Sequence, residues 1–291
     1  EGPGSVASGS GAMGGVVHAR TLESHAQPTV RAHLGGNTAD QSLGGLLIAT
    51  ARHPKNPVVV GAQATRHGTL HSGDGYPWPA SDFSEFNGFL KTNLHLSPSH
   101  NITAFASLTG IQDAGRTDRL GQGDIRWYDN AMALAYLRWA YRPDRATIRS
   151  LRITPYVQYL EEGIERLTCS GDTSLPGEGR EACVNREINS FSRMRLYSDT
   201  IRALGITADL TSRQFMDVLS LAVGAEFKHE QVTSKLEDYR EDSMAIVRGQ
   251  LSDGSQFATG ALWVLGKVEL YQSEKLGRLR LHVGERVTYS T

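Results

Sequence analysis

Apolar and polar residues alternate in this chain through long segments that fill most of its length. A period of two puts successive side chains on opposite faces of a strand. Eleven segments read as strands: 28–35, 43–52, 57–67, 85–97, 101–112, 125–142, 147–165, 191–210, 215–230, 257–272 and 276–291. Several reach 15 residues or more, whereas ordinary strands run to about 5–6. The gaps between them set the architecture. Five are short: His53-Pro54-Lys55-Asn56, Ser97-Pro98-Ser99-His100, Arg142-Pro143-Asp144-Arg145, Thr211-Ser212-Arg213-Gln214 and Gln272-Ser273-Glu274-Lys275. Three carry proline, which presets φ for a turn. Between them come longer polar connections at 68–84, 113–124, 166–190 and 231–256. Short turns on one rim and long loops on the other are the pattern of an antiparallel transmembrane β-barrel. The expected fold class is therefore all-β. Eleven is odd and closed bacterial barrels have even numbers, so eleven strands read as half of a 22-stranded wall.

The alternation separates two kinds of surface. Ala131, Ala133, Ala135, Leu137, Trp139 and Tyr141 share one face of their segment, and Arg138 lies on the other. Leu262, Val264, Val268 and Leu270 oppose Lys267 and Glu269. Leu279, Leu281, Val283 and Val287 oppose Arg278, Arg280, His282 and Arg286. On a barrel wall the charged set, Arg138, Lys267, Glu269, Arg278, Arg280 and Arg286, faces the lumen, because Arg or Lys on the lipid face costs about 2–4 kcal/mol at the midplane. Trp139 and Tyr141 lie beside a short turn, at the place of an aromatic girdle. Pro155 falls inside the 147–165 segment, where it cannot donate to a ladder; a bulge or a strand end is expected there.

Charge is balanced, with 30 Lys+Arg against 31 Asp+Glu, which opposes a general basic face for nucleic acid. No apolar run is long enough for a transmembrane helix. No charged start with an apolar core reads as a signal peptide, and the chain reads as an internal fragment. No Ser, His or carboxylate sits in a setting such as G-x-S-x-G, so an enzyme has no residue to point to, and no cofactor is indicated.

Near the start, Gly9, Gly11 and Gly14 fit G-x-G-x-x-G, the dinucleotide fingerprint. That motif needs a strand before it and a helix after it. Here Gly, Pro, Ser and Ala precede it, and the β-branched Val16 and Val17 follow. These glycines read instead as sites of close packing and tight turning.

The same stretch, Ser8 to Thr21, resembles the end of the plug domain in the TonB-dependent outer-membrane receptor family. Gly9, Ser10, Ala12, Met13, Gly14, Gly15, Val16, Val17 and Thr21 match that pattern. Ser8 stands where an aromatic is usual and His18 where Asn is usual. Asp82-Phe83 and Gly115-Arg116-Thr117-Asp118-Arg119, followed by Asp124 and Tyr128-Asp129-Asn130, resemble haem and haemoglobin receptors of the family. Their Phe-Arg-Ala-Pro motif and its liganding His are absent from this sequence. The resemblance implies residues 1–26 as the C-terminal end of a plug and residues 27–291 as the N-terminal half of the barrel. It implies uptake of a scarce solute, such as a ferric siderophore or haem, powered through TonB with ExbB and ExbD. A passive porin-type barrel and a secreted β-rich binding protein are the alternatives; a simple porin would start with a strand and not with a plug signature.

Cys169 and Cys183 enclose a polar loop rich in Gly, Ser, Glu and Pro. In an exported protein such a pair suggests a disulfide; free thiols, or a metal site with two further ligands, are the other readings. His67, His71, Tyr76, Trp78, Arg116 and Arg119 mark candidate ligand-contact loops, since exposed aromatic, His and Arg side chains in loops often carry function. Paired His residues at this spacing on a loop are more often simply solvated. Glu161, Glu162 and Glu165 form an acidic run near another loop. Calcium needs six or more oxygens, so the run reads as a solvated rim and no metal is expected.

Overall fold

The computed structural model describes residues 22, 28–51, 56–71, 73–75, 77–78, 80–144, 147–169, 183, 191–213, 218–240, 243–273 and 277–291. Twelve strands form one antiparallel sheet: β1 Thr29–Asn37, β2 Ser42–Ala51, β3 Val58–His67, β4 Phe83–His95, β5 His100–Arg116, β6 Asp124–Tyr141, β7 Ile148–Cys169, β8 Phe191–Ser212, β9 Leu219–Arg240, β10 Ser243–Arg248, β11 Gln256–Ser273 and β12 Gly277–Ser290. The order runs β1 to β9, then β11 and β12, with β10 folded back on the end of β9. The eleven strands on this path correspond one to one with the eleven segments expected from alternation. The plug-like stretch lies outside the described residues.

Three departures are informative. Strands β7 and β9 run on to Cys169 and Arg240, and most of the expected 231–256 loop is the end of β9, the β10 hairpin and a turn at 249–255. Past Phe227 β9 is polar on both faces except for Val232, Leu236 and Tyr239, so the periodic signal fades while the ladder continues. Ion pairs such as Lys235–Glu237 (2.6 Å) and Lys228–Glu230 (2.8 Å) line those ends. Second, the β1–β2 connection at 38–41 is short although it lies on the long-loop rim. Asn37 Oδ1 accepts from Ala39 N and Asp40 Oδ1 from Ser42 N, which lets side chains replace a longer loop. Third, Pro155 needs neither a bulge nor a strand end. Its pairing with Ile206 of β8 keeps the register of its neighbours. On the β6 side the ladder omits two pairs between Tyr136↔Tyr156 and Trp139↔Ile153, then resumes in the same register. The missing N–H is thus absorbed by a gap in one ladder.

Directly opposed residues point to the same face, so the registers carry each face across the whole sheet. One face holds Leu34, Leu47, Leu90, Leu108, Leu137, Val157, Leu204, Phe227, Leu262 and Leu281, all exposed, Leu34 to 83%. The other holds Thr50, Lys91, Thr103, Phe105, Thr154, Ala203 and Ala261, all buried, with Lys91 at 6%. Such an asymmetry is that of a sheet curved around its polar side. Large rings fill the shielded face where small residues leave room: a Cβ on Gly224 would lie 2.3 Å from the Trp263 ring, so glycine permits that close approach.

The apolar face has aromatic limits. At the short-turn rim His100, Trp139 and Tyr141 stack, with His100–Tyr141 centroids 4.7 Å apart, and Trp139 Nε1 donates to His100 Nδ1 at 3.3 Å. Tyr159, opposite Ala133, marks the other limit. The two lie roughly 26 Å apart along the strands at about 3.3 Å per residue, or about 20 Å in height when tilted by about 40°, close to an outer-membrane apolar band. No helix among the described residues is long and apolar enough to cross a membrane.

Candidate functional site at the loop end

The predicted lumen residues share the shielded face. Arg138 stacks on Tyr136 at 5.2 Å, and its Nε donates to Thr154 Oγ1 at 3.3 Å. Arg286 pairs with Glu226 at 2.9 Å, and Arg280 with Glu269 at 3.7 Å. Lys267 stands opposite His282 and Ser220. Arg278 holds a register position opposite Gln272; its side chain lies outside the described residues. A bulge between Glu269 and Tyr271 ends the simple alternation, so Tyr271 and not Leu270 stands opposite Leu279 on the apolar face.

Beyond the band, at the long-loop end, the wall is finished by loops packed onto its apolar side. Ile125, Trp127 and Leu167 face outward there and would meet water. Leu120 of the 3-10 turn Leu120–Gln122, Ala80 of the β3–β4 loop, and Cys169 with Cys183 cover them, with Phe191 and Met194 alongside. Cys169 and Cys183 form a disulfide that anchors the β7–β8 loop into this cluster. Gly115 is required by the packing: a Cβ there would sit 1.3 Å from the Ala80 carbonyl oxygen.

The six candidate ligand-contact residues do not form one cluster. His67 ends β3, where Nδ1 lies 3.1 Å from Asp40 Oδ2 and its ring stacks on Phe83 at 4.1 Å. His71 forms an isolated bridge with Pro77. Trp78 N donates to the Leu70 carbonyl at 2.7 Å, and Ser81 Oγ donates to the Trp78 carbonyl at 2.6 Å. Tyr76 lies outside the described residues. Arg116 ends β5 and grips Asp118 through Nε and an Nη. Arg119 is exposed, and its carbonyl accepts from the Gln122 and Asp124 amides. The acidic run is split: Glu162 takes the shielded face, while Glu161 and Glu165 take the opposite one. No cluster of three metal-ligating side chains occurs among the described residues.

What the sequence did not reveal is a row of arginines. On the shielded face Arg116 opposes Arg126, Arg126 opposes Arg166, Arg166 opposes Arg195, and Arg195 opposes Asp238. Asp124 receives two hydrogen bonds each from Arg126 (3.0 and 2.6 Å) and Arg166 (3.0 and 2.8 Å). Arg193 donates to Asp238 through two nitrogens, and Arg240 adds a third contact at 3.3 Å. Burial pushes the Asp124 carboxyl up, but Arg126 and Arg166 outweigh it and hold it below the usual range. The Arg193 hydrogen bonds lower Asp238 likewise.

About four residues deeper on the same face lies a hollow of about 440 Å³. Asn130, Glu162 and Asp199 line it, and Gln250 and Leu251 overhang it. Leu251 N donates to Ser234 Oγ at 3.1 Å, and Ser234 Oγ donates to Asp199, which fixes the overhang.

Carboxylates with lowered values contribute stability above the unfolded value of about 3.9 and lose it as pH falls through the lower folded values. The loop end is therefore expected to loosen below about pH 4. In a variant keeping Trp127 as its sole tryptophan, emission should shift to the red in that range. Asp124→Asn should show part of that shift at neutral pH, since losing charge-assisted bonds costs about 2 kcal/mol. A pH-independent Trp127 would remove this role from the aspartates.

No family model matches the chain, and no curated protein does. Solved structures do. The copper transporter OprC superimposes with a TM-score of 0.66 at 14% identity, covering 93% of this chain and 39% of its own. The ferric-catecholate import receptor Fiu from E. coli K12, in its open form, gives 0.63 at 12% identity over 93% and 45%. The unliganded ferric citrate transporter FecA gives 0.58 at 11% over 92% and 42%. The chain spans less than half the length of each. Its fold is that of the β-barrel wall in these three structures, over the stretch described above.

Proposed function

We propose that this chain is part of an outer-membrane receptor that takes up a scarce solute, a ferric siderophore, haem or a similar compound. Energy comes from the proton gradient, relayed by TonB with ExbB and ExbD to a plug whose C-terminal end is residues 1–26. Residues 27–291 are the N-terminal half of the wall. The separation of the faces carries the reading: an apolar belt meets lipid, and a charged face, with Arg138, Lys267, Glu269, Arg278, Arg280 and Arg286, lines the lumen. Arginine and lysine are tolerated there because water or a polar plug solvates them. The residues act by holding and releasing the solute, without bond chemistry. The plug signature Gly9, Ser10, Ala12, Gly14, Gly15 and Val16 supports active over passive transport.

Uptake by cells carrying the full-length protein is expected to stop when the proton gradient is collapsed, while solute binding to those cells persists. Uptake that continues without the gradient would identify a passive porin. Recovery of the protein in the medium or soluble periplasm would identify a secreted binding protein.

A further inference from the structure

The outward, apolar face of the wall is hollowed on its loop side, and the edge above the hollow is charged. Followed towards the loops, that face of β8 passes from Ile206 and Leu204 to Arg202 and Thr200, and that of β9 from Phe227 to His229 and Gln231. On β8 the belt therefore ends between Leu204 and Arg202. Arg202 is exposed, with Tyr159 directly opposite on one side and Gln231 on the other. Neither is an acid. Glu161, the next residue outward on that face of β7, accepts the Tyr159 hydroxyl at 2.7 Å. His229 stands opposite Leu204, diagonal to Arg202. Directly below these groups a hollow of about 540 Å³ runs from Arg202, His229 and Gln231 over Ala106, Ala133 and Ala135. A second, of about 370 Å³, adjoins it at Ala106, Ala135, Val157 and Leu204 and continues to Ala104, Leu137 and Pro155. Alanines make the floor of this trough. Leu90, Leu137, Val157 and Leu204, 49% to 60% exposed, stand as its walls.

We propose that the trough holds a phosphate-bearing, multiply acylated lipid of the loop-side leaflet. Its acyl chains lie over the alanines, and its phosphate is held by Arg202, with His229 and Gln231 as further donors. The dimensions fit. From Ala133 to Leu137 the trough runs about 13 Å along the strands, close to half of a hydrocarbon core about 30 Å thick, so it is one leaflet deep. From β5 to β8 it is about 14 Å wide, which gives room for more than one chain. An acyl chain leaves bulk lipid for this trough with no hydrophobic gain, because lipid tails are as apolar as leucine. Selectivity therefore comes from the headgroup, where the planar guanidinium fork matches paired phosphate oxygens. A second copy of the chain fits less well. A two-fold axis along the membrane normal would set hollow against hollow and Arg202 towards Arg202. This inference rests on the outer-membrane reading above.

The test is native mass spectrometry of the purified full-length protein. It is reconstituted in vesicles of phosphatidylcholine and hexa-acylated, bisphosphorylated lipid A in equal amounts, then released in mild detergent. Lipid A should be retained over phosphatidylcholine by about tenfold or more. Arg202→Gln with His229→Gln should cut that retention about tenfold, the loss expected for charge-assisted hydrogen bonds. Arg202→Lys, which keeps the charge, should lose less. Ala133→Leu with Ala135→Leu fills the floor without touching a charge and should also reduce retention. The barrel band on an unboiled gel confirms that each variant folds. Equal retention of the two lipids, or unchanged retention in the charge or the floor variant, overturns the site. So does displacement by inorganic phosphate alone, which would leave an anion site without a lipid. A dimer that Ala135→Leu breaks apart would put a second copy in the trough instead. Gradient-dependent uptake with no lipid A retained would keep the transport reading and discard the trough. Lipid A retained without such uptake would do the reverse.

Discussion

Placing arginine at Leu262, Leu281 and Val287 together is expected to abolish insertion of the full-length barrel. These residues are 66%, 47% and 65% exposed on the apolar face, and Leu262 stands directly opposite Val287. Each substitution costs about 2–4 kcal/mol near the bilayer midplane, and three approach the whole stability of a typical protein, about 5–15 kcal/mol. The barrel band on an unboiled gel should disappear. Lys267→Leu, on the other face, should leave it in place. Cysteine labelling gives the graded version. A water-soluble reagent should reach Cys at 267, 269 or 280, and a lipid-phase probe should reach Cys at 268, 279 or 281. The reverse pattern would mean a one-residue slip, which exchanges the faces. Equal water access to both sets would take the membrane out of the account.

The second large effect concerns the disulfide. Replacing Cys169 and Cys183 by serine should destabilise the loop end by about 3 kcal/mol, the chain-entropy value for a loop of roughly 15 residues. The loss is expected to be local. Cys183 is packed with Leu120, Ile125, Trp127 and Leu167, so releasing it opens the cover over these side chains. The belt below does not depend on that cover. Protease should therefore cut within 170–190, and Trp127 emission should shift to the red, while the barrel band survives. Loss of the band would show that the cluster supports the whole wall; neither cleavage nor a shift would show that the link contributes little.

Much of the wall is legible in the sequence because a strand with two unlike solvents writes its period into the residues. Ala131 to Tyr141 and Leu279 to Val287 alternate cleanly, and both lie in the belt. Where both faces are wet the period carries no contrast, and so the end of β9 and all of β10 go unseen; the last residues of β7 are hidden because a loop and a disulfide, not lipid, cover their apolar side. Pro155 departs from expectation because each residue of a strand turns its N–H to one neighbour only: the gap falls on the β6 side, and the β8 side pairs normally. The arginine row is hidden for a different reason. Arg116, Arg126, Arg166 and Arg195 are far apart in the chain, and only the registers align them. Those registers depend on turn lengths and on the irregularity between Ile111 and Ala114, where Asp113 adopts φ 57° and its amide bonds Asp129 Oδ1 at 2.7 Å. No local pattern encodes that alignment. The Cys169–Cys183 pairing, by contrast, needed only two cysteines flanking one loop.

The strand order has a mechanical meaning. Apart from the excursion of β10, each strand touches its predecessor and its successor in the chain. No later strand locks an earlier one in place by inserting between its neighbours. Such a sheet can grow by adding one hairpin at a time to an existing edge, with each closure spanning a short stretch of chain. It can also be lost the same way. Pulled apart under load, the wall should give way in steps of one hairpin at a time, because neighbours in space are neighbours in the chain.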